Sequence, residues 1–190
     1  MFKVIQGGIR ISAAITLTSG AAPANAYPGK GVIPSASAFD GTTVAIPVAA
    51  DITGKTALTG LRPLGLIFDG PSEMGNTATA RGVVGGGGSS TTVYSTGNTQ
   101  AQCTIVTGTF LAEVSNDDFN VVNDFTAAAV GTGVMILGAA DGTAKTSGGC
   151  ITPLAATSGQ VYCVGTVVSV ASANKIRVLF NFGSPFGITT

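Results

Sequence analysis

Two stretches near the C-terminus alternate apolar and polar residues with the period of a β-strand. Tyr162, Val164, Val168 and Val170 share one side of the first. Ile176, Val178, Phe180 and Phe182 share one side of the second, with Arg177 and Asn181 facing the other way. Ala171 to Asn174 lies between them as a short connection, so the pair predicts an antiparallel hairpin. Covering four such side chains on one strand is worth about 6–10 kcal/mol before chain entropy, enough to anchor a core. Upstream, Val106, Phe110 and Val114 share a face of the stretch from Thr104 to Val114, and further short strands are predicted at Asn120 to Phe125 and Val134 to Leu137. Near the N-terminus Ile9, Ile11, Ala13, Ile15 and Leu17 alternate with Arg10, Ser12, Ala14 and Thr16, again at strand period. Helical spacing is confined to one short turn, Phe125 to Val130, with Asp124 as its N-cap.

The pattern divides the chain. Prolines at 23, 28, 34, 47, 63 and 71 forbid long helices or central strands and leave only short apolar pieces, Val44 to Val48 and Leu61 to Phe68. Residues 1–90 therefore read as an extended, Pro/Gly-rich arm or wrapping region. The run from Gly85 to Ser90 marks a flexible joint, and residues 91–190 form an antiparallel β domain. The expected fold is all-β: a small antiparallel β-barrel or sandwich with a long extended N-terminal region and little helix.

Composition changes the picture in one respect. The 190 residues hold nine Lys and Arg against nine Asp and Glu, with no His and no Trp, yet 45% are hydrophobic. A monomer of this size exposes about 8,000 Å², or about 450 Å² for each formal charge, where soluble surfaces normally hold a quarter to a third charged residues. Coverage by other subunits resolves that shortage. Zero net charge and the lack of any basic run argue against direct nucleic-acid binding. No apolar run approaches the length of a membrane helix, and few aromatics are available for the girdles of a membrane barrel.

The first 26 residues imitate a secretory leader, with Lys3 and Arg10 as charges and Ala24-Asn25-Ala26 as a cleavage site. Arg10 adjoins the apolar stretch, however, and strand alternation runs straight through it, so an ordered N-terminal strand is expected. Cys103, Cys150 and Cys163 form no CxxC pair and have no His beside them, which fits small core residues better than zinc ligands. One disulfide with a leftover thiol is the alternative.

Candidate chemistry is sparse. Gly54-Lys55-Thr56 resembles the end of a phosphate-binding loop, but Ala49 stands where its first glycine belongs. Gly131-Thr132-Gly133 lacks the third glycine of a dinucleotide fingerprint. Ser172 and Lys175 have S-x-x-K spacing, yet at a hairpin tip the lysine keeps its hydration and charge. Asn116, Asp117 and Asp118, with Asn123 and Asp124 nearby, collect oxygen atoms without the spacing of a calcium loop. Without histidine no Ser-His-Asp or Cys-His arrangement exists. The expectation is no enzyme, no cofactor and no metal.

The segment Gly159-Gln160-Val161-Tyr162-Cys163-Val164-Gly165-Thr166-Val167-Val168, followed by the strand from Lys175 to Phe180 and preceded by a low-charge Pro/Gly-rich arm, resembles the cement or decoration proteins of tailed-bacteriophage heads. The resemblance implies a virion protein assembled in the host cytoplasm that binds the capsid exterior and bridges neighbouring capsomers. It implies the major capsid protein and copies of itself as partners, with a trimer as the family-like state. The expected contact residues are Phe2, Val4, Ile5, Ile9, Ile11, Ile15, Leu17, Leu61, Leu64, Leu66, Ile67 and Phe68. The competing expectation is a secreted or cell-surface assembly subunit of pilus or surface-layer type, beginning at Tyr27 after leader removal.

Overall fold

The computed structural model describes residues 2–16, 28–34, 43–47, 62–69, 100–115, 125, 128–136, 149–154, 160–172, 175–183 and 186–189. Among them every regular element is a strand, so the fold is all-β. The strands are β1 (Phe2–Thr16), β2 (Gly31–Pro34), β3 (Thr43–Ala45), β4 (Gly65–Asp69), β5 (Gln100–Ser115) and β6 (Gly133–Ile136). They continue with β7 (Ile151–Pro153), β8 (Gln160–Cys163), β9 (Gly165–Ser172), β10 (Lys175–Asn181) and β11 (Phe186–Thr189).

Nine strands form one sheet in the order β1-β3-β2-β4-β5-β10-β9-β6-β7, and β1 also pairs with β5, so the first five strands close on themselves. β8 and β11 form a separate pair. The expected all-antiparallel arrangement holds except at one place: β1 meets β3 in parallel, through Ala14–Thr43 and Ile15–Val44. The sheet is therefore mixed and ring-like. β1 to β4 are hydrogen-bonded into the same sheet as β5, and the joint expected at Gly85 to Ser90 lies outside the described residues.

β5 organises the molecule. Its sixteen residues pair along one edge with nearly all of β1, from Phe2–Val114 to Thr16–Gln100. The other edge is shared, with β4 taking Thr104 to Val106 and β10 taking Thr109 to Ser115. Two bulges on the β1–β5 ladder cancel. The first adds Ile5 to β1; the second sets Gly8 against Gly108 and Thr109. Gly7 and Gly108 both adopt φ +78°, a backbone region that residues with a Cβ enter only at a cost. Because the register recovers, even-numbered β5 residues keep one face and odd-numbered residues the other.

Those two faces build two cores. Val106, Phe110, Ala112 and Val114 join Ile33, Leu66, Val134, Ile136, Ile151, Val167, Ile176, Val178 and Phe180 in the larger one. Phe110, Phe180 and Phe182 stack there, with ring centroids 5.1–5.9 Å apart. Cys103 and Ile105 face the smaller core with Ala13, Ile15, Val32, Val44 and Ile67, so every strand of the closed ring contributes to it. β2 and β4 send alternate residues to both cores, which is why the run Leu64 to Phe68 reads as continuously apolar.

The C-terminal hairpin forms, with Lys175 opposite Ser172 and Ile176, Val178 and Phe180 pointing inward, but its first strand is shorter than expected: Tyr162 lies on β8, which pairs with β11, and Val164 falls between β8 and β9. One expectation on β9 is corrected. Val168 is exposed and Val167 buried, because register shifts along the β9–β10 ladder move the inward face by a residue. The helical turn expected at Phe125 to Val130 is replaced, in its described part, by tight turns: Ala128 N–H donates to Phe125 O and Thr132 N–H to Ala129 O, each at 3.0 Å. Its N-cap Asp124 and most of the strand expected from Asn120 lie outside the described residues.

Candidate interaction surface

β1 offers an apolar face that this chain leaves partly uncovered. Ile9, Ile11, Ala13 and Ile15 share that face. Cover comes from the closed ring, and β3 forms ladder pairs with β1 only at Ala14 and Ile15. Accordingly Ile15 and Ala13 are buried, Ile11 is 44% exposed and Ile9 64%. Ile11 and Ala13 line the mouth of a half-open cleft of about 130 Å³ whose other walls are Ser12, Val44, Leu64, Ile105 and Thr107. Ile5, the bulge residue, is also exposed at 44%. On the same edge, β1 residues ahead of Ala14 have no ladder partner other than β5 among the described residues. A long strand with free backbone N–H and C=O groups and exposed isoleucines is a template for another strand.

The odd face of the sheet continues this surface. Leu111 lies opposite Leu179 on the β5–β10 ladder, and Leu179 and Val168 are exposed at 45% and 41%. Charges gather at its rim. Glu113 accepts a hydrogen bond from Arg177 Nε at 3.1 Å and pairs with Lys175 Nζ at 3.4 Å, while Lys3 stands opposite it in register on β1. The Arg177 hydrogen bond holds the Glu113 carboxyl below its ordinary range, opposed by desolvation and assisted by Lys175. Among the described residues, Lys3, Lys175 and Arg177 outnumber the single carboxylate of Glu113 at this rim. On the opposite face Arg10 lies 3.9 Å above the Phe68 ring, and Phe2 meets the same ring edge-on at 6.5 Å.

The residues expected to make contacts are therefore divided. Ile5, Ile9 and Ile11 are exposed; Phe2, Val4, Leu64 and Phe68 are half-buried against the cores; Ile15, Leu66 and Ile67 are buried inside this chain and unavailable to a partner. Leu17 and Leu61 lie outside the described residues. Leu179 was not singled out from the sequence, although it is the one large apolar residue on the polar side of its strand. Val168 was not, because its exposure depends on a bulge.

The motifs weighed for catalysis are turns where they are described. Gly131 N–H donates to Val167 O and Val167 N–H to Thr132 O, so the Gly131-Thr132-Gly133 segment docks on β9. Ser172 and Lys175 face each other at the hairpin tip, with Lys175 drawn to Glu113. Gly54 to Thr56 and Asn116 to Asp118 lie outside the described residues. None of the three cysteines is in a disulfide, and among the described residues no three His, Cys, Asp or Glu gather around a common point. No known protein family, curated protein or solved structure matches this chain.

Proposed function

We propose that this chain is a structural virion protein that binds the outer surface of a phage capsid and bridges neighbouring capsomers. The observation that carries the reading is β1: it is built into the sheet along one edge, while ahead of Ala14 its other edge has no ladder partner among the described residues and Ile5, Ile9 and Ile11 are exposed. A capsid subunit that adds a strand there gains main-chain hydrogen bonds and covers the isoleucines in one step. The low charge of the chain keeps the desolvation cost of docking small. The rim of Lys3, Lys175 and Arg177 selects a partner surface whose own rim is acidic. Repeated copies on one shell then hold by avidity.

The test is sedimentation of a lysate of the native source, with this chain detected across the gradient. Co-migration with DNA-containing particles of capsid size is the expected result. Recovery only as a free small oligomer overturns the proposal. Recovery in DNA-free filaments, with a mass beginning at Tyr27, overturns it in favour of a secreted pilus- or surface-layer-type subunit.

A further inference from the structure

Lys30 and Cys150 are 120 residues apart, and both are wholly buried, with Lys30 Nζ donating a hydrogen bond to Cys150 Sγ at 3.0 Å. Lys30 immediately precedes β2 and Cys150 immediately precedes β7, the far end of the nine-stranded sheet. The backbone fixes the pair from both sides. Ile67 N–H donates to Lys30 O and Gly31 N–H to Gly149 O, each at 2.8 Å. Gly149 adopts φ +84°, and a Cβ there would stand 2.9 Å from Gly31 O, so the approach depends on glycine. The amine and the thiol are thus held face to face by main-chain contacts.

A buried lysine is uncommon, since losing its hydration disfavours the charged form. Burial pushes the Lys30 amine below its ordinary value, with the adjacent Cys150 opposing that shift. A neutral amine carries the lone pair that a nucleophile needs. Neither other cysteine has this setting. Burial raises Cys103 to about 12 among apolar neighbours, and the Cys163 thiol donates to Gly165 O at 3.3 Å.

We propose that Lys30 and Cys150 are an oxidation-dependent cross-linking site, forming a sulfenamide bond between Nζ and Sγ. Hydrogen peroxide is the oxidant. In the first step the Cys150 S–H becomes S–OH as the peroxide O–O bond breaks, and one water leaves. In the second, the Lys30 nitrogen attacks that sulfur. An S–N bond forms, the S–O bond breaks, and the hydroxyl departs with an amine proton as a second water. The balance is one peroxide reduced to two waters and two hydrogens lost from the protein. The bond adds, beside the backbone hydrogen bond from Gly31 to Gly149, a covalent staple joining β2 to the β7 end of the sheet. Burial sets the rate, since peroxide reaches Cys150 only when that end opens, and it then shields the bond from bulky thiols. The site stands independently of any capsid role.

The experiment treats the full-length chain with hydrogen peroxide, blocks the remaining thiols, and maps digested peptides by mass spectrometry. The expected product joins the Lys30 and Cys150 peptides with the loss of two hydrogens, resists trypsin after Lys30, and separates under dithiothreitol. The urea midpoint of the treated chain rises, and neither change occurs in Lys30→Met. Cys150 recovered as sulfinic acid or as an alkylated thiol, with Lys30 unmodified, overturns the proposal. A joined product carrying an added oxygen overturns the direct S–N bond. Mapping of the unaltered chain decides the matter even where a variant folds poorly.

Discussion

Replacing Ile9 and Ile11 together by threonine tests the β1 surface with little damage to the fold. Threonine keeps the β-branched shape that suits a strand, so the change removes mainly exposed apolar area. Ile9 is 64% exposed and Ile11 44%, together about one full isoleucine side chain open to solvent. Covering one isoleucine is worth about 1.5–3 kcal/mol, and threonine retains one methyl, so the loss on docking is about 1–2 kcal/mol. That corresponds to an affinity lower by about 5- to 30-fold for each docked chain, and by more where several copies bind as a unit. The buried part of Ile11, beside Ile105 and Leu64 in the cleft, costs stability by about 1 kcal/mol or less. The assay is occupancy of purified particles across a concentration series, with urea denaturation run in parallel. Ile15→Thr is the contrasting control. That residue is fully buried in the smaller core, so it lowers the urea midpoint more, and affinity only as far as folding is lost. Unchanged affinity in the folded double variant refutes the assignment of β1 as the docking strand.

Phe110→Ala removes the ring that stacks on both Phe180 and Phe182, and is expected to cost about 3–5 kcal/mol in urea or thermal denaturation. Lys30→Met fills nearly the same space without a buried amine, and is expected to raise the unfolding free energy from urea denaturation at neutral pH by on the order of 1 kcal/mol. Because the folded chain holds the Lys30 proton less tightly than the unfolded chain, the contribution of this residue to stability rises as pH approaches the ordinary 10.5, against the opposite contribution of Cys103 above 9.0; the Lys30 part of that pH dependence is missing in Lys30→Met. Glu113→Gln removes a carboxylate whose lowered pKa contributes stability above the ordinary carboxylate range and loses it as pH falls through the lowered value. The expected cost is below about 1 kcal/mol, shrinking in high salt, as titrated denaturation at two ionic strengths would measure.

Short-range pattern was a good guide wherever a strand pairs with its sequence neighbour and keeps a regular pleat. Ile176, Val178 and Phe180 face inward as their alternation requires, and Arg177 faces out. It failed at Val168, because a bulge shifts the face by one residue and leaves no mark in residue type. It also misjudged Leu66 and Ile67. As apolar residues in a proline-bounded piece they read as contacts for a partner, but β4 lies between two cores of its own chain and buries both of its faces.

By itself the sequence determined the all-β class, the C-terminal hairpin, the strand at Ile9 to Ile15 and the shortage of charge, since each follows from local alternation or simple composition. Only the tertiary structure decided which apolar residues stay exposed. Ile9 and Ile15 sit on the same face of the same strand, yet one is open and the other sealed, because the β1–β3 ladder lies at Ala14 and Ile15, far from Ile9 along the strand. The meeting of Lys30 with Cys150 is of the same kind. Contacts between residues 120 positions apart depend on how the ends of a folded sheet close, and no local pattern records that.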